Sequence, residues 1–266
     1  MKEIIQLPGK KIYFASDFHL GAPNASTSRE RELKIINWLN HIEQDAQAVF
    51  LVGDLFDFWF EYQQVIPKGF VRIQGKIAAM VDRGIQVYFF LGNHDMWMKK
   101  YFSEELGVIM VSDELEIKIG TQKFYIAHGD GLGPGDLGYK FIKRVFRNKL
   151  CQFLFSCLHP KIGLSLAQYF SKKSRVQTGT KDINYTKKED EWLYQFCKEK
   201  NKGESFDYFI FGHRHLPMDI TIENDARYLN LGEWINFYTY AEFDGTNLAL
   251  KVWGQDTELP YQGIKE

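Results

Sequence analysis

Acidic residues are missing from one long stretch of this chain. Between residues 137 and 181 there is no Asp or Glu, yet Lys140, Lys143, Arg144, Arg147, Lys149, Lys161, Lys172, Lys173, Arg175 and Lys181 all fall there. Cysteine is also scarce. Cys151, Cys157 and Cys197 form no metal-ligand spacing, which argues against a thiolate zinc or iron–sulfur centre. Their odd number and apolar neighbours suit reduced thiols in a cytoplasmic protein. No run approaches about 18 apolar residues, so a spanning helix is not expected. Residues 1–10 lack the hydrophobic region of a signal peptide, so a soluble protein is expected. The net charge of −1 gives no global attraction to nucleic acid or anionic membrane, and any such affinity must be local. What remains is a chain of 266 residues, 45% hydrophobic, enough for one large core with an insertion.

Five short polar motifs stand where strand-like runs end. Asp17-Phe18-His19 follows residues 11–15, Gly53-Asp54 follows 48–52, and Gly92-Asn93-His94-Asp95 follows 86–91. His128-Gly129-Asp130 follows 123–127, and Gly212-His213-Arg214-His215 follows 208–211. Sites in open α/β sheets form at the carboxyl ends of strands. Five of the seven histidines fall inside these motifs, which scattered core or surface histidines would not do. Asp, Asn and His offer oxygen and imidazole nitrogen to borderline divalent ions. Two ions need about seven to nine donors with a bridging carboxylate, and the motifs supply that number.

Between the motifs, residues 29–44 carry Leu33, Ile36, Leu39 and Ile42 at helical spacing, and 69–83 read as a second helix with Gly84 as its C-cap. Residues 114–119 and 123–127 around Gly120-Thr121 read as a hairpin. Strands are expected at 218–222, 227–231, 237–243 and 248–253, then an irregular tail at 254–266. In the basic segment, Phe141, Val145, Phe146, Leu150, Phe153, Leu154, Phe155, Leu158, Ile162, Leu164, Leu166, Tyr169 and Phe170 interleave with the cations, and His159-Pro160 predicts a split into two helical pieces. Such helices lie in membrane interfaces, or pack on a core with a solvated basic face. The segment's place directly after His128-Gly129-Asp130 would let it cover the metals.

The ordered set D-x-H, G-D, G-N-H-D, H-G-D, G-H-x-H resembles the calcineurin-like metallophosphoesterase family over residues 17–215. That resemblance implies an α/β fold, an αββα two-sheet sandwich, with a core of 1–136 and 182–266 and a helical cap at 137–181. It implies one metal held by Asp17, His19, Asp54 and His215, and a second held by Asp54, Asn93, His128 and His213. Manganese is the expected ion, with iron and zinc open. The resemblance also implies in-line attack on phosphorus by a water that the metals acidify, with His94 neutralising phosphoryl charge. In related phosphatases a carboxylate three residues after the bridging Asp orients this His, the offset of Asp57; the alternative for Asp57 is a hydrogen bond to backbone amides.

Within the family, residues 53–59 and the loop from His128 through Asp136 and Tyr139 are similar to the UDP-2,3-diacylglucosamine pyrophosphatases of lipid A synthesis. In that group a helical insertion at this place holds acyl chains and touches the inner leaflet. Ser174 and Lys181 match substrate-binding residues there, and the resemblance implies substrate contacts from Asn93, His94, Asp136, Tyr139, Ser174, Thr178, Lys181 and His213. The implied setting is cytoplasmic, peripheral to the inner face of the membrane. Two positions depart from the group: Thr178 stands where its better-known enzymes have asparagine, and His94 where they have arginine. His94 favours the alternative of another phosphoesterase acting on a nucleotide or a different lipid phosphate. A nuclease could use the basic segment, but apolar runs such as 153–158 fit acyl chains better than a phosphodiester backbone, so no nucleic acid is expected. A non-catalytic scaffold would normally have lost ligands. The oligomeric state stays open.

Overall fold

The structure, a computed structural model, describes residues 1–133, 137–178 and 191–254. Its strands are β1 (Lys2–Ile4), β2 (Lys11–Ala15), β3 (Ala46–Leu51), β4 (Gln86–Phe90), β5 (Ile109–Val111), β6 (Glu114–Ile119), β7 (Gln122–Ala127), β8 (Tyr208–Phe211), β9 (Pro217–Thr221), β10 (Arg227–Leu231), β11 (Thr239–Phe243) and β12 (Leu248–Val252). The helices are α1 (Ala25–Ile42), α2 (Val71–Asp82), α3 (Tyr101–Glu105), α4 (Leu137–Arg147), α5 (Lys149–Ser156), α6 (Pro160–Thr178) and α7 (Trp192–Gly203). One sheet runs β1-β6-β7-β8-β10-β9 and the other β12-β11-β2-β3-β4-β5.

Alternation along the strands makes the layers, because successive side chains point to opposite faces. Ile12 and Phe14, Phe50, Tyr88 and Phe90, Phe124 and Ile126, and Ile210 meet between the sheets. Their neighbours Tyr13, Val49, Val87 and Phe89 instead meet α1 and α2. On the other sheet Tyr125, Phe209 and Phe211 meet Leu193, Tyr194 and Cys197 of α7. Helix, sheet, sheet and helix are therefore stacked in that order, the αββα sandwich expected. Phe14 stacks on Phe50 at 4.9 Å and on Phe124 of the opposite sheet at 6.0 Å, which ties the layers together.

Two local expectations are corrected. The inward stripe of α1 is Ile35, Trp38, Leu39 and Ile42, while Leu33 is exposed. That rotation turns Ser28 and Arg31 toward the loop after β2. The basic segment holds three helices, not two. The extra break is at Asn148, whose side chain accepts from the amides of Leu150 and Cys151 and so starts a new helix. The short elements β1, α3 and β5 carry no periodic signal of their own. The tail beyond residue 254 lies outside the described residues.

Candidate metal centre

Strands β2, β3 and β4 are mutually parallel, as are β7 and β8, so their carboxyl ends share one rim of the sandwich. All five motifs open there. Asp17, His19, Asp54, His213 and His215 each take a left-handed backbone conformation, with φ between 45° and 64°. Non-glycine residues rarely do so, and such strain collects at functional sites. The conformations are held by loop-to-loop bonds: the Asp17 amide donates to Gly53 O (3.1 Å), that of His19 to Asp54 O (3.0 Å), and that of Gly212 to His128 O (3.0 Å). Glycine is required where these loops touch. A Cβ on Gly212 would strike Ser16 Oγ and Asp17 Oδ2, and one on Gly92 would strike Asp54 Oδ1.

Asp17, Asp54 and His128 each have one polar atom tied off and another turned inward. Asp17 Oδ2 accepts from Ser16 Oγ and from the His213 amide (2.9 Å), leaving Oδ1 beside His215 Nε2 at 3.1 Å. Asp54 Oδ1 accepts from the His94 amide at 2.8 Å, and its Oδ2 lies 3.4 Å from His128 Nε2. The Nδ1–H of His128 donates to Val52 O (2.9 Å), which aims Nε2 inward, 3.2 Å from Asn93 Oδ1. His213 Nδ1 is 2.9 Å from the same Asn93 oxygen. His19 Nε2 and His215 Nε2 stand 3.0 Å apart. This second layer of partners fixes tautomer and orientation as in metal sites.

The electrostatics fit divalent cations. Asp17, His19, Asp54 and His128 are at most 1% exposed. Burial, joined by the charges of His215 and His94, pushes His19 well below the usual histidine range. Burial, with the charge of His128, likewise lowers His213 to about 4. Burial opposes ionisation of Asp54, but His128, His94 and His19 hold its carboxyl well below the usual range. Burial also opposes a charged His128, yet Asp54 above all raises it to about 10. The two carboxylates therefore draw positive charge from the cluster itself, and Asp54 Oδ2 is buried with no hydrogen-bond partner among the described residues. The neutral imidazoles of His19 and His213 beside the ionised Asp54 carboxylate are donors that suit a borderline divalent ion. Asp17, His19, Asp54 and His215 have ligand atoms within 4.8 Å of one another. His19, Asp57 and His94 form a neighbouring group of the same span.

His94 sits edge-on to His19, with ring centres 4.9 Å apart. Its Nδ1 lies 2.8 Å from the main-chain oxygen of Asp57, while the Asp57 carboxylate Oδ1 stands 4.0 Å away. The contact between them thus runs through the backbone of Asp57. Two residues of the site have no role in the sequence reading, Asp95 although it lies in a motif and Arg31 outside them all. Asp95 accepts from the amides of Gly92 (2.8 Å) and Leu55 (2.9 Å) and clamps two loops together. Burial, then the charge of Asp54, raises its carboxyl to about 7. Arg31 of α1 donates to the carbonyls of His19 and Ala22, and no local pattern marks it. Asp136 and Lys181 lie outside the described residues, as do the side chains of Tyr139, Ser174 and Thr178.

Helices α4–α6 lie against this rim. Lys143 pairs with Asp130 at 2.6 Å, Arg147 pairs with Asp113, and Trp97 Nε1 donates to Phe146 O (2.6 Å). Phe155 packs on Phe60 and Trp97, each at 4.7 Å. A shallow, open cleft lies between α4 and the His128 loop, lined by Asp113, Asp130, Lys143 and Arg147 among others. Phe141, Leu150, Phe153, Leu154, Ile162 and Phe170 remain exposed. Among the described residues no helix is long and apolar enough to cross a membrane.

The family model for calcineurin-like phosphoesterases matches residues 10–217. A UDP-2,3-diacylglucosamine hydrolase of Porphyromonas gingivalis is 38% identical over 254 residues, covering 91% of this chain and 97% of its own. Proteins of the same name from Actinobacillus succinogenes and Haemophilus influenzae are 31% and 29% identical. They cover 84% and 86% of this chain and 92% of their own in each case.

Proposed function

Because the chain belongs to the calcineurin-like phosphoesterase family, we propose that it hydrolyses UDP-2,3-diacylglucosamine. Water attacks the α-phosphorus and the bond from that phosphorus to the bridging oxygen breaks, so 2,3-diacylglucosamine 1-phosphate leaves and UMP keeps the water's oxygen, a step of lipid A biosynthesis. The reaction class rests on one observation: the convergence of Asp17, His19, Asp54 and His215 on a common point at the strand ends. The substrate is supported by the relatives, which carry it in their names over nearly their full length.

Asp17, His19, Asp54 and His215 would hold one divalent ion, and Asp54, Asn93, His128 and His213 a second, with Asp54 common to both. The oxygen and nitrogen donors suit manganese. When bound, the pair supplies Lewis-acid charge to the phosphoryl group and acidifies a water. The protein's own part is orientation. Ser16 and the His213 amide turn Asp17 Oδ1 inward, and Val52 O selects the His128 tautomer. With Nδ1 engaged by Asp57 O, His94 offers its other ring nitrogen to a phosphoryl or leaving oxygen. Asn93 and His213 also face substrate in this reading, and Asp136, Tyr139, Ser174, Thr178 and Lys181 complete the pocket.

Residues 137–181 form the cap. Their apolar side receives the acyl chains, and their cations meet anionic lipid at the inner face of the cytoplasmic membrane. The test is UMP release from UDP-2,3-diacylglucosamine against cleavage of bis(p-nitrophenyl) phosphate. A higher kcat/KM on the lipid is expected. Equal values on the two would leave only a generic phosphoesterase.

A further inference from the structure

A second contact joins the insertion to the catalytic rim beside Lys143–Asp130, and it reaches His94. Ser171 of α6 is 8% exposed. Its Oγ lies 3.0 Å from Asp57 Oδ2, 3.3 Å from Asp57 O and 3.3 Å from His94 Nδ1. A hydroxyl has one proton to give and lone pairs to accept with. The geometry assigns the proton to the Asp57 carboxylate, the shorter contact to an acceptor. The lone pair then faces the Nδ1–H of His94, whose main acceptor is Asp57 O at 2.8 Å. Ser171 thereby closes a fork around one nitrogen of His94 and links it to the carboxylate that otherwise misses it by 4.0 Å.

The helix is shaped for this approach. Gly163, Ala167 and Ser171 recur every fourth residue, so small side chains share one face. Gly163 and Ser171 on that face are buried, whereas Ile162, Leu166 and Phe170 beside them are exposed. A Cβ on Gly163 would come within 2.6 Å of the Tyr62 hydroxyl, so glycine lets α6 sit close against the segment that follows Asp57.

We propose that Ser171 is a positioning residue: it fixes His94 through Asp57, so the catalytic histidine is aligned only when α6 is docked on the rim. This rests on the reading of His94 as the group that acts on the phosphoryl oxygen. The experiment compares Ser171→Ala, Ser171→Thr, His94→Ala and the Ser171→Ala/His94→Ala pair on bis(p-nitrophenyl) phosphate and on UDP-2,3-diacylglucosamine. Metal content and Tm are measured on each. In Ser171→Ala, kcat should fall about 10- to 100-fold on both substrates, the scale of an outer-shell partner, with KM and both metal ions kept. Ser171→Thr, which retains the hydroxyl, should recover most of the loss. In the His94→Ala background, removing Ser171 should change kcat by no more than about twofold, because its effect passes through His94.

An unchanged kcat in Ser171→Ala would overturn the proposal. So would an equal loss in both backgrounds, a loss confined to KM, loss of metal, or a fully active His94→Ala. If the wild type cleaves only the aryl diester, the lipid reading fails, while the aryl diester still decides the role of Ser171.

Discussion

The metal rim and the helical insertion reverse the usual distribution of polar and apolar side chains. Asp17, His19, Asp54 and His128 are 0–1% exposed, whereas Phe141, Leu150, Phe153 and Ile162 are 59–65% exposed. At the rim, polar atoms are packed among strand ends, where burial without compensation costs several kcal/mol per charge. On the insertion, apolar rings face outward from helices that carry only cations, where a soluble monomer rarely groups so many. The difference separates two tasks. The rim holds charge in place for chemistry, and the exposed apolar surface of the insertion is what the proposed function assigns to recognition. Ser171 and Lys143 are two of the points where one region touches the other.

The rim should break most severely at its shared ligand. In Asp54→Ala, activity should drop by more than about 10⁴-fold, beyond the effect of one acid or electrostatic donor. Metal content should fall further than in His19→Ala, which touches one ion only. Elemental analysis of the purified variants checks this, and near-normal metal in Asp54→Ala would end its bridging role. His94→Ala should keep both metals and lose about 10²–10⁴-fold in turnover. Retention of metal alongside loss of rate is the mark of a group that acts on the phosphoryl oxygen and not on the ions.

How far these two regions could be read from the sequence differs for physical reasons. The rim was legible because the motifs follow strands whose alternation is strong, as in residues 11–15, and three of them carry a glycine that close contact demands, Gly53, Gly92 and Gly212. The sandwich itself came from the family resemblance: the period of two in Ile12 and Phe14, or Phe124 and Ile126, marks strands and by itself gives only an α/β fold. Partners distant in the chain were not legible. Ser171 meets Asp57 across 114 positions, and Asp57 reaches His94 through a main-chain oxygen that any residue would supply. The break at Asn148 was written as an N-cap inside an apolar run, where the 159–160 boundary drew attention instead.

Stability should separate the regions next. Phe50 is fully buried and stacks on Tyr88 at 4.4 Å, so Phe50→Ala should cost about 3–5 kcal/mol. Phe153 is 62% exposed, and Phe153→Ala should stay within about 0.5 kcal/mol. Urea unfolding of both variants is the measurement. A large loss in Phe153→Ala would mean that the insertion is packed like the core and is not held open for a ligand.

The smallest effect is also the most specific. If the exposed apolar side of the insertion takes acyl chains, each CH₂ buried should contribute roughly 0.8 kcal/mol, about a fourfold gain in affinity. Affinity should therefore climb with acyl length and stop where the surface ends. Phe153→Ala should weaken the lipid substrate by about tenfold, or about 1.4 kcal/mol, just under the roughly 1.5–3 kcal/mol of a fully buried side chain. It should leave bis(p-nitrophenyl) phosphate untouched, since that substrate needs only the rim. Steady-state kinetics with substrates of stepped chain length on both proteins resolves the two terms. A ladder with no slope, or equal losses on lipid and aryl diester, would assign the exposed rings to something other than the acyl chains. A slope that flattens in Phe153→Ala but persists in the wild type would place that ring along the path of the chain.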